Sequence, residues 1–219
     1  MRRRTFLAAG GAVTLGAIAG CLADEAEFVS VDEAVEWHEN DEANFVDARS
    51  QRQFDDLHIT GAVFSPAADG LETNDPVEEW STDTRIVTYC DCPHALAEQR
   101  AESLAGRGYG DVYILDEGFI EWGNRGYPVE GASDTQSLPS YEVRGVSDPA
   151  YAGEDVWIRD LEYGQRELGP VGDDGSYELT LHFSDLTDDT VLEVEAPDYT
   201  LEATLAELTS SVVGEELVA

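Results

Sequence analysis

Cys90-Asp91-Cys92-Pro93-His94 stands between a β-branched run, Ile86-Val87-Thr88-Tyr89, and a helical pattern in which Leu96, Arg100, Ala101 and Leu104 recur until Gly106 and Gly108. A thiol at such a junction faces the unbonded backbone N–H groups and positive dipole end of the helix, which favour thiolate over thiol and also favour a bound anion. That is the chemistry a nucleophilic or sulfur-carrying cysteine needs. The same local sequence also suits a small buried cysteine closing a strand, so the flanking motifs must decide. Cys92 adds a second option, because two cysteines one residue apart can resolve a persulfide or sulfenic acid on Cys90 as a strained disulfide. Its plainer role is to fill the loop.

The surrounding chain supplies the frame. Ser30 with Glu33 reads as a capping box ahead of Val31, Ala34 and Val35, predicting a helix that ends near Glu39. Asn44 to Asp47 reads as a strand, Ser50 caps a brief helix, and His58 to Val63 turns into another strand. Val77 to Trp80 is a helical turn, Asp111 to Leu115 the last strand, and Gly118 opens a final helix that stops at Gly126. Strands alternating with helices at this spacing predict an α/β unit: a parallel sheet with helices on both faces. In such sheets ligands bind beyond the carboxyl ends of strands, where Cys90 falls.

From Val129 the composition shifts. Residues 131–139 are polar and turn-rich and read as a linker. Beyond it no helical period is evident. Tyr141 to Val146, Asp155 to Arg159, Ser176 to His182 and Thr190 to Glu195 alternate polar with apolar, which predicts a small all-β, antiparallel sandwich over 140–219. Gly172 to Leu179, followed by Val191 to Tyr199, is similar to carboxypeptidase regulatory-like and transthyretin-like sandwiches. Asp173 and Asp174 read as turn residues rather than calcium ligands, and no cofactor or metal ion is expected. The expected role is a spacer, or a docking module for a protein partner.

The first 21 residues read as an address. Arg3-Arg4 precedes Phe6-Leu7 and a weakly apolar Ala/Gly-rich run, the pattern of a twin-arginine signal peptide. Ile18-Ala19-Gly20-Cys21 resembles a lipobox, which implies a lipid on Cys21 and a place on the extracytoplasmic face of the cell membrane. Residues 22–27 then read as an acidic spacer. The 47 acidic residues outnumber 12 basic ones, every one of them arginine, for a net charge of -35. Such a surface excludes nucleic acid and anionic membrane as partners. An acidic, lysine-free surface over ordinary core residues resembles proteins of salt-saturated, haloarchaeal-type habitats, where screening removes the self-repulsion.

Several motifs fall in a recognisable order. Val46-Asp47-Ala48-Arg49, Phe54, and His58-Ile59-Thr60-Gly61-Ala62 resemble the rhodanese signature, as do Val87 to Cys90 and the closing stretch Tyr113 to Trp122 with Gly126 to Val129. The resemblance covers 28–130 and implies a rhodanese-like domain. It implies a sulfurtransferase that carries sulfane sulfur as a persulfide on Cys90, from a small sulfur-containing anion or persulfide to a thiol-type acceptor. The backbone of Asp91, Cys92, Pro93, His94, Ala95 and Leu96 would cradle the donor, while Asp47, Arg49 and His58 would give structural support. The loop departs from the common family pattern: one residue is extra, and Leu96 stands where an arginine is usual. Arg100 lies a turn further on, expected to face away or to reach the cradle only at its rim, and His94 is the loop's one basic side chain, opposed by Asp91. A non-catalytic binding module and a Cys90/Cys92 redox protein therefore stay open beside the enzyme.

Overall fold

The computed structural model describes residues 26–91, 95–132 and 139–217. The twin-arginine stretch, Cys21 and the loop residues Cys92, Pro93 and His94 lie outside the described residues, as do linker positions 133–138.

The amino-terminal unit begins earlier than expected. Glu27–Val29 forms β1, pairing with a strand near the end of the unit, so part of the presumed spacer belongs to the sheet. Val31–Glu39 is α1, and the Ser30 hydroxyl accepts from the Glu33 N–H at 3.3 Å. Then come β2 (Asn44–Asp47), α2 (Gln51–Asp56), β3 (His58–Ile59) and β4 (Val63–Phe64). β5 (Arg85–Tyr89), α3 (Ala95–Gly106), β6 (Asp111–Leu115), α4 (Gly118–Asn124) and β7 (Val129–Glu130) complete the unit. The main sheet runs β1-β6-β5-β2-β4, all parallel, and β3 pairs with β7 in a separate antiparallel ribbon.

Successive strand residues point to opposite faces, and here each face has its own helices. Phe45, Val87, Tyr89 and Leu115 pack with α1 and α4 through Val31, Ala34, Val35, Phe119 and Trp122. Val46, Ile86 and Ile114 pack on the other face with Leu96, Ala97, Ala101 and Leu104 of α3. Each fully buried large apolar side chain contributes about 1.5–3 kcal/mol. A strand buried on both faces needs a continuous apolar run, and that is why Ile86-Val87 reads so clearly.

The carboxy-terminal unit holds β8 (Tyr141–Val146), β9 (Asp155–Arg159), β10 (Arg166–Pro170), β11 (Ser176–Leu181), β12 (Val191–Glu195), β13 (Thr200–Thr204), α5 (Leu205–Ser210) and β14 (Val212–Val213). One sheet is β10-β9-β12-β13 and the other β11-β8-β14, and residues of both meet in one core. Two expectations are corrected. A helix does occur: Thr204 and Glu207 form a reciprocal capping box that starts α5. The strands are not all antiparallel, because α5 carries the chain across and returns β14 parallel to β8. At the predicted turn, the Asp174 carboxylate accepts from the N–H and hydroxyl of Ser176 at 3.0 and 2.6 Å, and Gly175 has φ +83.

The two units are packed together. Leu168 of β10 and Trp157 of β9 join the apolar cluster on the α3 face of the parallel sheet. Arg166 donates to the Ala67 carbonyl, Arg52 pairs with Asp185, and Gln99 donates to Asp155 at 3.3 Å.

Candidate active site

Cys90 is the first residue beyond β5 and is 2% exposed. Its carbonyl accepts from the Phe119 N–H at 2.8 Å, and the preceding Tyr89 carbonyl accepts from the Ala48 N–H at 3.0 Å. The residue is thus fixed by the start of α4 and, through Tyr89, by the loop after β2. The hydroxyl of Thr88 donates to the Ala97 carbonyl at 3.0 Å, tying the first turn of α3 to the strand that carries the cysteine. Leu96 and Ala97 share the buried cluster of Cys90, so the thiol stands at the amino-terminal end of a helix, in apolar surroundings. Burial alone would disfavour a thiolate there, and the helix terminus opposes that cost.

Asp91 is buried. Its carboxylate turns inward, accepting from Arg49 Nη1 at 2.6 Å and from Gln53 Nε2 at 2.8 Å. Arg49 also grips both oxygens of Asp47, with Nη2 at 2.7 Å, and its Nη2 donates to the Leu57 carbonyl at 2.7 Å. The guanidinium plane lies 4.2 Å from the Phe119 ring centre, and all three charged groups are buried. Desolvation alone would lower the Arg49 pKa, but the carboxylates of Asp47 and Asp91 outweigh it and hold it well above its usual value. Burial pushes the Asp91 carboxyl up against the pull of Arg49.

His58 stacks on Phe54 at 3.8 Å, its Nδ1 donates to the Phe54 carbonyl at 2.6 Å, and Nε2 stands 3.5 Å from Glu130. These contacts tie α2 to the β3–β7 ribbon. Arg100 is fully buried rather than at a rim. Its Nη2 donates to the Ser65 hydroxyl at 2.6 Å and to Asp75 at 2.9 Å. Burial lowers its pKa against the pull of Asp75.

Gln53 was not singled out in the sequence, although Ser50-x-x-Gln53 is a legible capping box. Its carbonyl oxygen accepts from the Ser50 hydroxyl at 2.8 Å, which leaves the amide nitrogen to reach Asp91 and, at 3.4 Å, the His182 carbonyl of the carboxy-terminal unit. Among the described residues no group of His, Cys, Asp and Glu is arranged to hold a metal ion.

Over 102 residues the chain is 33% identical to the thiosulfate sulfurtransferase GlpE of Pseudomonas putida, covering 46% of this chain and 87% of that protein. Residues 30–125 match the rhodanese-like domain. The chain belongs to the rhodanese-like family. An HTH-type transcriptional regulator of Mycobacterium tuberculosis is 32% identical over 117 residues, which span 53% of this chain and 50% of that protein. The solution structure of a rhodanese-like domain from Anabaena sp. is 21% identical, covering 50% of this chain and 83% of that one with a TM-score of 0.44. Within the rhodanese-like domain, Cys90 directly follows the strand before α3, and Arg49, which also grips Asp47, meets the residue that follows the cysteine. The two-sheet unit lies outside the matched segment.

Proposed function

We propose that the rhodanese-like domain is a sulfurtransferase that carries sulfane sulfur on Cys90. The observation that supports it is the placement of Cys90 at the junction of β5 and α3, with its own carbonyl and its neighbour Asp91 both held. In the reaction, the Cys90 thiolate attacks the outer sulfur of thiosulfate or of a related persulfide. The S–S bond breaks and sulfite, or the carrier thiolate, leaves with the bonding pair. Cys90 then holds the transferred sulfur as a persulfide until a thiophilic acceptor attacks it and restores the thiolate. Backbone N–H groups at the start of α3 would receive the anion, and no side chain needs to change charge.

The physiological setting we propose is the extracytoplasmic face of the membrane, with a lipid on Cys21 after twin-arginine export and a surface adapted to high salt. Arg3-Arg4, the run ending at Cys21 and the net charge of -35 support it. Loss of membrane partition in Cys21→Ser tests the anchor; a wild-type protein found wholly in the soluble fraction contradicts it.

A binding module without turnover is favoured by one observation, the burial of Arg100 against Ser65 and Asp75, away from any anion at the loop. Thiocyanate formation from thiosulfate and cyanide in molar salt separates the readings. Turnover in wild type and its loss in Cys90→Ala is expected; equal rates overturn the enzymatic reading.

A further inference from the structure

Asp91 stands next in the chain to Cys90, and a negative charge beside a thiol disfavours its ionisation. The two side chains go different ways. Cys90 packs in the α3-face cluster with Leu96 and Ala97, whereas Tyr89 before it packs with α1 and α4. The Asp91 carboxylate is drawn towards the Tyr89 side: its Oδ1 accepts from Arg49 Nη1 at 2.6 Å, and that guanidinium lies 4.2 Å from the Phe119 ring centre and 5.7 Å from that of Tyr89. Arg49 is already shared, because both oxygens of Asp47 bond to it as well. Two buried carboxylates therefore draw on one guanidinium, and the second oxygen of Asp91 needs a donor from elsewhere.

Gln53 supplies that donor without a charge. The residue is buried in α2, and its amide fits only one way round. Oε1 accepts from the Ser50 N–H at 3.2 Å and from the Ser50 hydroxyl at 2.8 Å, so Nε2 is the atom that meets Asp91 Oδ2 at 2.8 Å. The same nitrogen reaches the His182 carbonyl at 3.4 Å. A glutamate here would keep the cap but set a second carboxylate against Asp91; a lysine would donate but lose the cap. The other titratable groups that act on Asp91 or Arg49 are Asp47, Tyr89 and, from the carboxy-terminal unit, the His182 ring and the Glu167 carboxyl, which burial pushes well above the usual carboxylate range. None of these four is hydrogen-bonded to Asp91 Oδ2, which Gln53 holds.

We infer that Gln53 is a positioning residue for the Cys90 thiolate: by holding Asp91 Oδ2 it keeps the nearest carboxylate on Arg49 and off the thiol's side of the strand. It acts through Asp91 and does not touch the sulfur donor. With the amide in place, Asp91 is bonded at both oxygens, and the thiolate forms beside a carboxylate that is tied down on a guanidinium. Without it, Oδ2 is a buried acceptor lacking its donor, the carboxylate is released from its place against Arg49, and its charge works against ionisation of Cys90. The inference rests on the sulfurtransferase reading for its functional meaning, but not for its test.

The test is the pH profile of Cys90 alkylation by iodoacetamide in the full chain in molar salt, with fragment masses placing the label on Cys90. Gln53→Met keeps the bulk of the side chain and removes the donor. It is expected to move the thiolate curve to higher pH by at least about half a unit, a slowing of about threefold on its rising part, with the high-pH plateau within about twofold of wild type. Ser50→Ala, which takes the hydroxyl from the cap and leaves Nε2 on Asp91, is expected to stay within about twofold of wild type throughout. In an Asp91→Asn background, where no carboxylate is left to release, Gln53→Met is expected to change the rate by less than about twofold. Superimposable profiles for wild type and Gln53→Met overturn the inference, as does the same threefold slowing in Ser50→Ala or in the Asp91→Asn background, because each assigns the effect to packing or to the cap. Should Gln53→Met not fold, Gln53→Asn, whose shorter amide withdraws from Asp91, is measured in both backgrounds and the same outcomes decide. Persulfide loading from thiosulfate, read on the same peptide, tests the sulfurtransferase reading separately: a shifted profile without loading keeps the role of Gln53 and removes the reaction.

Discussion

Arg49 and Asp91 meet at 2.6 Å, both sealed from solvent, and this contact joins the loop after β2 to the residue after Cys90. It spans two stretches 42 residues apart in sequence. Held by the same guanidinium, Asp47 and the Leu57 carbonyl complete a brace across the carboxyl ends of β2 and β5.

Removing the guanidinium leaves buried carboxylates without a partner. Arg49→Ala is expected to cost about 3–5 kcal/mol of unfolding free energy, measured by denaturant titration in molar salt. Arg49→Lys should recover only part of this, because one ammonium cannot serve Asp47, Asp91 and a carbonyl in the same fork. A cost below about 1 kcal/mol for Arg49→Ala would show that the brace is not structural.

Glu167 gives stability a definite pH dependence. Its folded pKa lies well above the ordinary value of 4.5, so the folded chain keeps a proton that the unfolded chain has released. Stability from this residue is full below 4.5 and is lost as pH rises towards the folded pKa, by up to about 1.4 kcal/mol per pH unit. The unfolding free energy of Glu167→Gln should therefore gain on wild type as pH rises from 4.5 towards the folded pKa. Parallel curves for the two proteins would contradict this.

Much of the α/β unit is legible because local signals agree with the fold. Ile86-Val87 must face helices on both sides, Ser50 caps α2, and Gly106 ends α3. β1 escapes notice because three residues among acidic neighbours carry no period, and only pairing with β6 makes them a strand. β10 is hidden by Gly169-Pro170, and the burial of its Glu167 carries no local signal. Likewise Arg100 follows the helical period, but its choice of Ser65 and Asp75 depends on a loop far away in sequence. The capping box of Thr204 and Glu207 was available to reading, and the short α5 was masked by the alternation on either side. What stayed hidden is tertiary: which polar side chains are drawn inward where the units meet.

The surplus of carboxylates makes salt part of the fold's conditions. In dilute buffer the Debye length reaches roughly 30 Å, and carboxylates repel across the whole molecule, whereas at 1 M it is about 3 Å. The melting temperature is expected to fall when molar salt is dialysed away and to recover when it is restored. A flat melting temperature between dilute buffer and molar salt would show that the net charge of -35 is not an adaptation to salt.

The most direct test of the central claim is the mass of the peptide carrying Cys90 after brief treatment of the full chain with thiosulfate in molar salt. A gain of one sulfur on Cys90, removed by cyanide and absent in Cys90→Ser, is the expected result. An unmodified Cys90 in folded wild-type protein, with both thiosulfate and an organic persulfide as donor, would contradict it.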